Sequence, residues 1–381
     1  MGEIHIPEYT AIRASSRDSS LGTGTEEISS GIRGISLETW RSPVPSAHRT
    51  YNRARDLPHL LQDHINSLPP RYLKSDFVKA IFEAAISEST NEDEPDAPQI
   101  RIYNPVEGDD EVTPPWEFHY TNQMWHGEGV PGPDYSSLRS CGCKGPCDPR
   151  SKTCSCLRRQ EEYTKEALNR KGFLYDEKGR LYPDKIGFPI FECNDLCGCS
   201  DECRNRVVQK GRTCSINIVK TKEKGWGVFA GEKLIPQGTY IGIYSGELLS
   251  ESEGEERGLK YNKFGRTYLF DIDWWYLQKP GVDEPEIKYV VDAYHAGNFT
   301  RFLNHSCEPN CCLVPCYVND GDLEKPLLAI FTQHDVQPYE EMCFSYTGDT
   351  DGEGAPAPKQ ADAIYVPCRC GAAKCKGRMF K

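Results

Sequence analysis

Nine cysteines crowd into two short stretches, Cys141-x-Cys143-x3-Cys147-x6-Cys154-x-Cys156 and Cys193-x3-Cys197-x-Cys199-x3-Cys203. Thiolate sulfur is a preferred ligand of zinc, which takes four ligands in a tetrahedron. Nine is not a multiple of four. Three zincs need twelve bonds, however, and six terminal plus three bridging sulfurs supply twelve. A C-x-C step is short for chelating one isolated ion but suits neighbouring ions of a cluster. Nine thiolates and three dications leave a net charge of −3, which Lys144, Lys152, Arg158, Arg204 and Arg206 could offset. Two separate sites with a spare thiol, or disulfides, are the other readings. An all-cysteine site has no open position, so its metal would be structural. Near the chain end, Cys368-x-Cys370-x4-Cys375 lacks a fourth thiol, and Cys307 offers one. The other cysteines, at 214, 311, 312, 316 and 343, read as small buried hydrophobes.

Between 224 and 346 lie strings that could hold a ligand. The glycines of Lys224-Gly225-Trp226-Gly227-Val228 would let backbone approach a bound molecule closely. Such a string is also what a turn beside a core aromatic looks like. Tyr244-Ser245-Gly246-Glu247 and Tyr268-Leu269-Phe270-Asp271-Ile272-Asp273 follow, in strand-like surroundings. The most specific stretch is Arg301-Phe302-Leu303-Asn304-His305-Ser306-Cys307-Glu308-Pro309-Asn310. Adjacent Asn and His side chains can hydrogen-bond the polar ends of a nucleoside ligand. Glu341-Met342-Cys343-Phe344-Ser345-Tyr346 closes the series.

In order and content these strings resemble the SET class of protein lysine methyltransferases. The nine cysteines resemble the pre-SET domain of the suppressor-of-variegation histone methyltransferases. The likeness spans roughly residues 100–381 and points to the fungal type acting on histone H3 lysine 9, without a chromodomain. It implies S-adenosyl-L-methionine as methyl donor, held by Lys224, Gly225, Trp226, Tyr268, Arg301, Asn304, His305, Tyr346, Met379 and Phe380. It implies that Tyr244, Phe344 and Tyr346 line the methyl-transfer channel, with Tyr346 the catalytic tyrosine, and that Asp273 faces the substrate peptide. It implies three zincs in the pre-SET cluster and a fourth held by Cys307, Cys368, Cys370 and Cys375, clamping a post-SET tail over the site. Where the family has Thr-Phe-Asp-Tyr, this chain has Cys-Phe-Ser-Tyr; Ser345 alternates away from Phe344 and Tyr346. In the family, Phe at position 344 accompanies di- and trimethylation. The implied partners are the histone H3 tail and chromatin-associated recruitment factors. The implied setting is the nucleus, in heterochromatin formation and silencing. A non-histone lysine target, or a SET protein that binds chromatin without catalysis, are the alternatives.

These residues need a scaffold. Runs such as INIVKT, GWGVFA, YIGIYSGELL, TYLFDID, KYVVDA and LLAIFT are β-branched and aromatic, separated by turns. Leu57, Leu60, Leu61, His64, Ile65 and Leu68, then Phe77, Ile81, Phe82 and Ile86, recur at helical spacing. The expected fold is therefore mainly β with short helices (α+β). By resemblance it is a SET fold of small sheets with a knot-like C-terminal threading, flanked by zinc-cysteine modules and an N-terminal helical region. The expected segments are a disordered tail (1–50), a helical region (51–98), a pre-SET domain (99–210), a SET domain (211–348), a linker (349–365) and a post-SET tail (366–381). Lys359 in the linker is a candidate pseudosubstrate or site of self-methylation. The acidic stretch 251–256 reads as a solvated loop, with charge near a substrate groove as the other reading. The net charge of −12 suits a basic peptide better than a DNA backbone, so no sequence-specific nucleic-acid binding is expected. No apolar run reaches the ~18 residues of a membrane span, and the first residues do not read as a signal peptide.

Overall fold

Apolar residues at helical spacing before residue 90 do form helices: α1 (Leu60–Asn66), α2 (Pro70–Leu73) and α3 (Asp76–Asp93). The structure is a computed structural model that describes residues 54–57, 60–164, 172–262, 268–277, 287–346 and 367–379. The expected tail at 1–50, the linker with Lys359, and Phe380 lie outside the described residues. Pro70 opens α2, where a missing N–H leaves no helical bond unmade. One face of α3 buries Val78, Ile81, Phe82, Ala85 and Ile86. That face packs into the largest apolar core, where Phe82 meets Trp116 at a ring distance of 4.4 Å. Glu83 is the charged residue on this face. Its carboxylate accepts from the Ile102 N–H and from Arg101 Nη1, both at 2.8 Å. It thereby covers the free edge of strand β1 (Arg101–Tyr103).

The strands form four small sheets. The first has the order β1-β5-β6-β15-β12, with β5 Ile216–Thr221, β6 Gly225–Ala230, β12 Asn304–His305 and β15 Glu341–Phe344. The second runs β3-β8-β10-β9, with β3 Trp125–His126, β8 Glu247–Ser250, β9 Leu269–Asp271 and β10 Tyr289–Asp292. The third joins β4 (Ile190–Phe191), β13 (Cys311–Tyr317), β14 (Leu327–Thr332) and β7 (Tyr240–Ile243). The last pairs β2 (His119–Tyr120) with β11 (Ala296–Gly297). Sequence spacing did not pick out β13, which contains Pro315. Proline is tolerated there because β4 pairs only with Cys316 and Tyr317. Helix α4 (Ser155–Thr164) was not picked out either, being polar overall with few apolar residues to mark its buried face.

The acidic stretch 251–256 is a correction. It opens helix α5 (Glu251–Asn262), and the Arg that follows it is buried. Arg257 Nη1 donates to Glu247 on β8 at 2.5 Å and to Asp292 on β10 at 2.8 Å. Its Nε donates to Glu253 at 3.0 Å. Tyr261 also donates to Asp292, and the Ala54 N–H donates to Glu247. One buried cation thus ties a helix to two neighbouring strands. Arg257→Leu would leave two buried carboxylates without their cation. It is expected to lower stability by roughly 3–5 kcal/mol, read as an earlier urea midpoint. An unchanged midpoint would show that the network contributes nothing to folding.

Candidate active site

The first sheet brings three separated strings side by side. β15 pairs antiparallel with β6, matching Met342 to Val228, and parallel with β12, matching Asn304 to Cys343 and His305 to Phe344. Gly227, Asn304 and Glu341 meet at this joint. A Cβ on Gly227 would lie 2.9 Å from Glu341 Oε1 and 3.0 Å from Asn304 Nδ2, so any larger residue would push these two side chains aside. Asn304 Nδ2 donates to the Trp226 carbonyl at 3.2 Å and to Glu341 Oε1 at 2.9 Å. Lys224 forms an ion pair with Glu341. The Asn304 amide is thereby oriented with both N–H groups spent inside the protein and its Oδ1 available as an acceptor. Gly225 takes a left-handed φ of 72° at the turn. Trp226 buries its ring in the core and donates its indole N–H to Glu111. Sequence reasoning gave no role to Glu341 or Glu111. Nothing local announces that Lys224 and Glu341 will pair.

An aromatic wall stands beside this joint. Phe344 and Tyr244 are buried with rings 6.2 Å apart, edge to face, and Tyr346 lies 4.9 Å from Phe344. Phe270, another residue given no role from sequence, is 6.2 Å from Tyr244. Both phenols donate to backbone: Tyr346 Oη to the Leu303 carbonyl at 2.7 Å, and Tyr244 Oη to the Tyr268 carbonyl at 3.1 Å. Each hydroxyl proton points at a protein carbonyl, so toward a ligand N–H the oxygen can act only as an acceptor. Burial raises the pKa of Tyr346 and of Tyr244 above that of an ordinary phenol. Neither is a ready proton acceptor as phenolate.

The other expected residues fall in different surroundings. Arg301 gives its Nε to the Ala293 carbonyl at 2.9 Å and stacks on Phe118 and Tyr268 at 4.1 and 4.3 Å. Its visible work is to hold the Tyr268 ring. His305 is buried, and both ring nitrogens face protein: Nδ1 accepts from the Tyr346 N–H at 3.1 Å, and Nε2 lies 3.4 Å from Cys307 Sγ. The ring is thus turned toward protein, and Asn304 presents the open side-chain acceptor at this joint. Asp273 stands exposed after β9, and Asp271 feels the charges of both Asp273 and Glu251. Met379 is half-buried in the tail, next to the bridge between Pro367 and Arg378.

The cysteines gather in two sets. In the larger, Cys141, Cys147, Cys193 and Cys199 form one group, Cys143, Cys147 and Cys154 a second, and Cys156, Cys193 and Cys197 a third, each with sulfurs within 4.8 Å of one another. Cys147 and Cys193 belong to two groups each, as bridging sulfurs would. Cys203 Sγ is 4.0 Å from Cys193 Sγ. Edges of 3.7 Å (Cys147–Cys193) and 3.6 Å (Cys156–Cys197) are far too long for disulfides. They match the roughly 3.8 Å edge of a tetrahedron with Zn–S bonds of about 2.3 Å. Of the five cations expected to offset the charge, Arg206 donates to a cluster sulfur, Cys199 at 3.5 Å. Arg204 pairs instead with Glu177. Backbone N–H groups of Cys141 and Cys143 also donate to sulfur. Cys307, Cys368, Cys370 and Cys375 form the separate four-thiol group. Cys311, Cys312, Cys316 and Cys343 are buried apart from both sets, and Cys214 is half-buried.

Comparison with known proteins shows the family of the chain. A Pre-SET motif matches residues 92–206 and a SET domain residues 225–347. Over 365 residues the chain is 40% identical to a Cryptococcus neoformans histone-lysine N-methyltransferase, H3 lysine-9 specific, covering 79% of this chain and 20% of that protein. The solved methyltransferase domain of human SETMAR is 30% identical, with a TM-score of 0.54 over 74% of this chain and 95% of that one. KRYPTONITE in complex with mCHH DNA, an H3(1-15) peptide and SAH is 26% identical, with a TM-score of 0.56 over 74% of this chain and 51% of that one. The chain belongs to the SET-domain histone-lysine methyltransferase family, in its Pre-SET-bearing Su(var)3-9 class. It spans only a fraction, 20%, of the Cryptococcus relative's length.

The four tail-site cysteines are half-buried, whereas eight of the nine in the other set are buried. Metal loaded into both sets should therefore leave the tail first. A chelator with a zinc-sensitive dye is expected to read a fast phase, absent in Cys375→Ser, followed by a slow one. A fast phase that persists with unchanged amplitude in that variant would contradict this assignment.

Proposed function

We propose that the chain transfers methyl groups from S-adenosyl-L-methionine to lysine 9 of the histone H3 tail. It reaches the di- or trimethyl state, in nuclear chromatin, as a step in heterochromatin formation and silencing. The observation that carries this reading is the aromatic wall of Tyr244, Phe344 and Tyr346 set directly against the Asn304 joint. The match to H3 lysine-9 specific relatives, and a related structure holding SAH and an H3 peptide, support it.

The donor would be held by Lys224, Gly225 and Trp226 on one side and the Asn304-His305 segment on the other. Tyr268, with Arg301 stacked behind it, and the tail residues Met379 and Phe380 would close around it. When bound, S-adenosyl-L-methionine would supply an electrophilic sulfonium methyl carbon, open to attack by a neutral amine with the thioether S-adenosyl-L-homocysteine as leaving group. The acceptor lysine has a reference pKa of about 10.4 and must shed a proton first. A channel walled by Phe270, Phe344 and two tyrosines disfavours the ammonium form. Tyr244 and Tyr346, with their own protons on carbonyls, accept from the amine N–H groups. They thereby aim its lone pair at the methyl carbon. Their raised pKa argues against either as the base, so the proton leaves through water. The substrate peptide would add as a strand, with Asp271, Asp273 and Glu251 facing its cations. Three zincs in the nine-cysteine cluster and one in the tail would be structural.

Labelled donor with an H3 tail peptide, beside the same peptide with lysine 9 changed to alanine, tests this directly. Label on the first alone supports reaction and site together. Label on both keeps the methyltransferase and discards the site. Label on neither, with metal content intact, favours a chromatin-binding protein without catalysis.

Phe344 carries no hydroxyl to pin a water in the channel, leaving room for an amine that already bears methyls. Phe344→Tyr is expected to stall at fewer methyl groups, read by mass spectrometry of the peptide. Identical product distributions would overturn this account of product state.

A further inference from the structure

His305 joins two things that the fold otherwise keeps apart. Its Nδ1 accepts from the backbone N–H of Tyr346 at 3.1 Å, and its Nε2 lies 3.4 Å from Sγ of Cys307, one of the four tail-binding thiols. Cys307 Sγ is in turn 3.9 Å from Cys368 Sγ on the tail. The His305 ring is also packed 5.3 Å from the Tyr346 ring. We infer that His305 is a positioning residue that couples closure of the cysteine tail to the placement of Tyr346.

The argument is one of hydrogen-bond direction. Nδ1 faces a donor that cannot change, a peptide N–H, so Nδ1 must present a lone pair. A neutral imidazole then carries its proton on Nε2, which needs an acceptor. A thiolate at Cys307, as metal ligation requires, is that acceptor. With the tail's ligands withdrawn, Cys307 is no longer held in that place and form, and Nε2 loses its fixed acceptor. The ring is then free to turn or to take the tautomer whose Nδ1–H opposes the Tyr346 N–H. Metal ligands are commonly supported by just such outer partners. Here the partner reaches past the metal site to the backbone of a channel-lining tyrosine. The same joint holds Ser306 N–H on the Phe344 carbonyl at 3.1 Å, so a shift at Cys307 has a short route to β15.

The inference rests on the methyltransferase reading only for its purpose, and its test needs no turnover. Amide hydrogen exchange is followed in the peptide spanning 341–346 of the full, metal-loaded chain. Four proteins are compared: wild type, Cys375→Ser, His305→Asn and the double variant. The shorter amide side chain of His305→Asn places an oxygen where Nδ1 was. It keeps an acceptor for the Tyr346 N–H while losing the link to Cys307. In the wild-type background, Cys375→Ser should raise exchange at Tyr346 several-fold. In the His305→Asn background it should change exchange little. His305→Gln, which keeps a donor toward Cys307 and loses the Tyr346 acceptor, should show high exchange with or without Cys375. It stands in if the first variant does not fold. An equal effect of Cys375→Ser in the wild-type and variant backgrounds would overturn the coupling. A chain that shows the coupling but fails to label H3 keeps this inference and loses the other, and the reverse pattern does the opposite.

Discussion

The site depends on one pairing, the parallel contact of the two-residue strand β12 with β15. Two residues make a weak strand by themselves. They are held because what surrounds them is engaged on every side. Asn304 is fixed by Trp226 and Glu341, His305 by Tyr346 and Cys307, and Phe302 and Leu303 by the main core. Without this contact Asn304 would not face the 224–227 turn, and Tyr346 would lose the Leu303 carbonyl that orients its phenol. The Asn304 joint and the aromatic wall are therefore consequences of a single crossing of chain segments, in which His305 and Tyr346 meet from 41 residues apart.

The cysteine module follows a different physical rule. Its buried cluster consists of nine cysteines with Leu157 and Phe173, and little else apolar. Hydrophobic burial cannot hold such a module as it holds the core around α3. Sulfur–metal bonds would supply the cohesion, linking folding there to metal. The four-thiol tail extends the same rule toward the end of the chain: a short segment whose described residues bury almost no apolar surface would be anchored through metal ligands.

Much of this was legible in the sequence. Cysteine spacing survives folding because ligand geometry is local and counts must close, so both cysteine sets could be read before any fold was known. The strings around Asn304 and Tyr346 were legible for the same reason, being contiguous. What sequence could not give was partnership across distance. Arg257 followed an acidic run that looked solvated, yet its charge is matched by Glu247 and Asp292 from two other elements. His305 could be named for the hydrogen bonds that its type allows. Only the register of β12 on β15 turns its two nitrogens inward. Glu341 gained its place from Lys224, 117 residues away.

The most direct test is a crystal structure of the full chain with SAH and an H3(1-15) peptide, the pair that the related structure holds. The account predicts SAH against Asn304 and the 224–226 turn, with the lysine 9 side chain entering between Tyr244, Phe344 and Tyr346 and its nitrogen within hydrogen-bond reach of both phenol oxygens. SAH bound away from the β12–β15 joint, or a peptide whose lysine does not enter that channel, would contradict it.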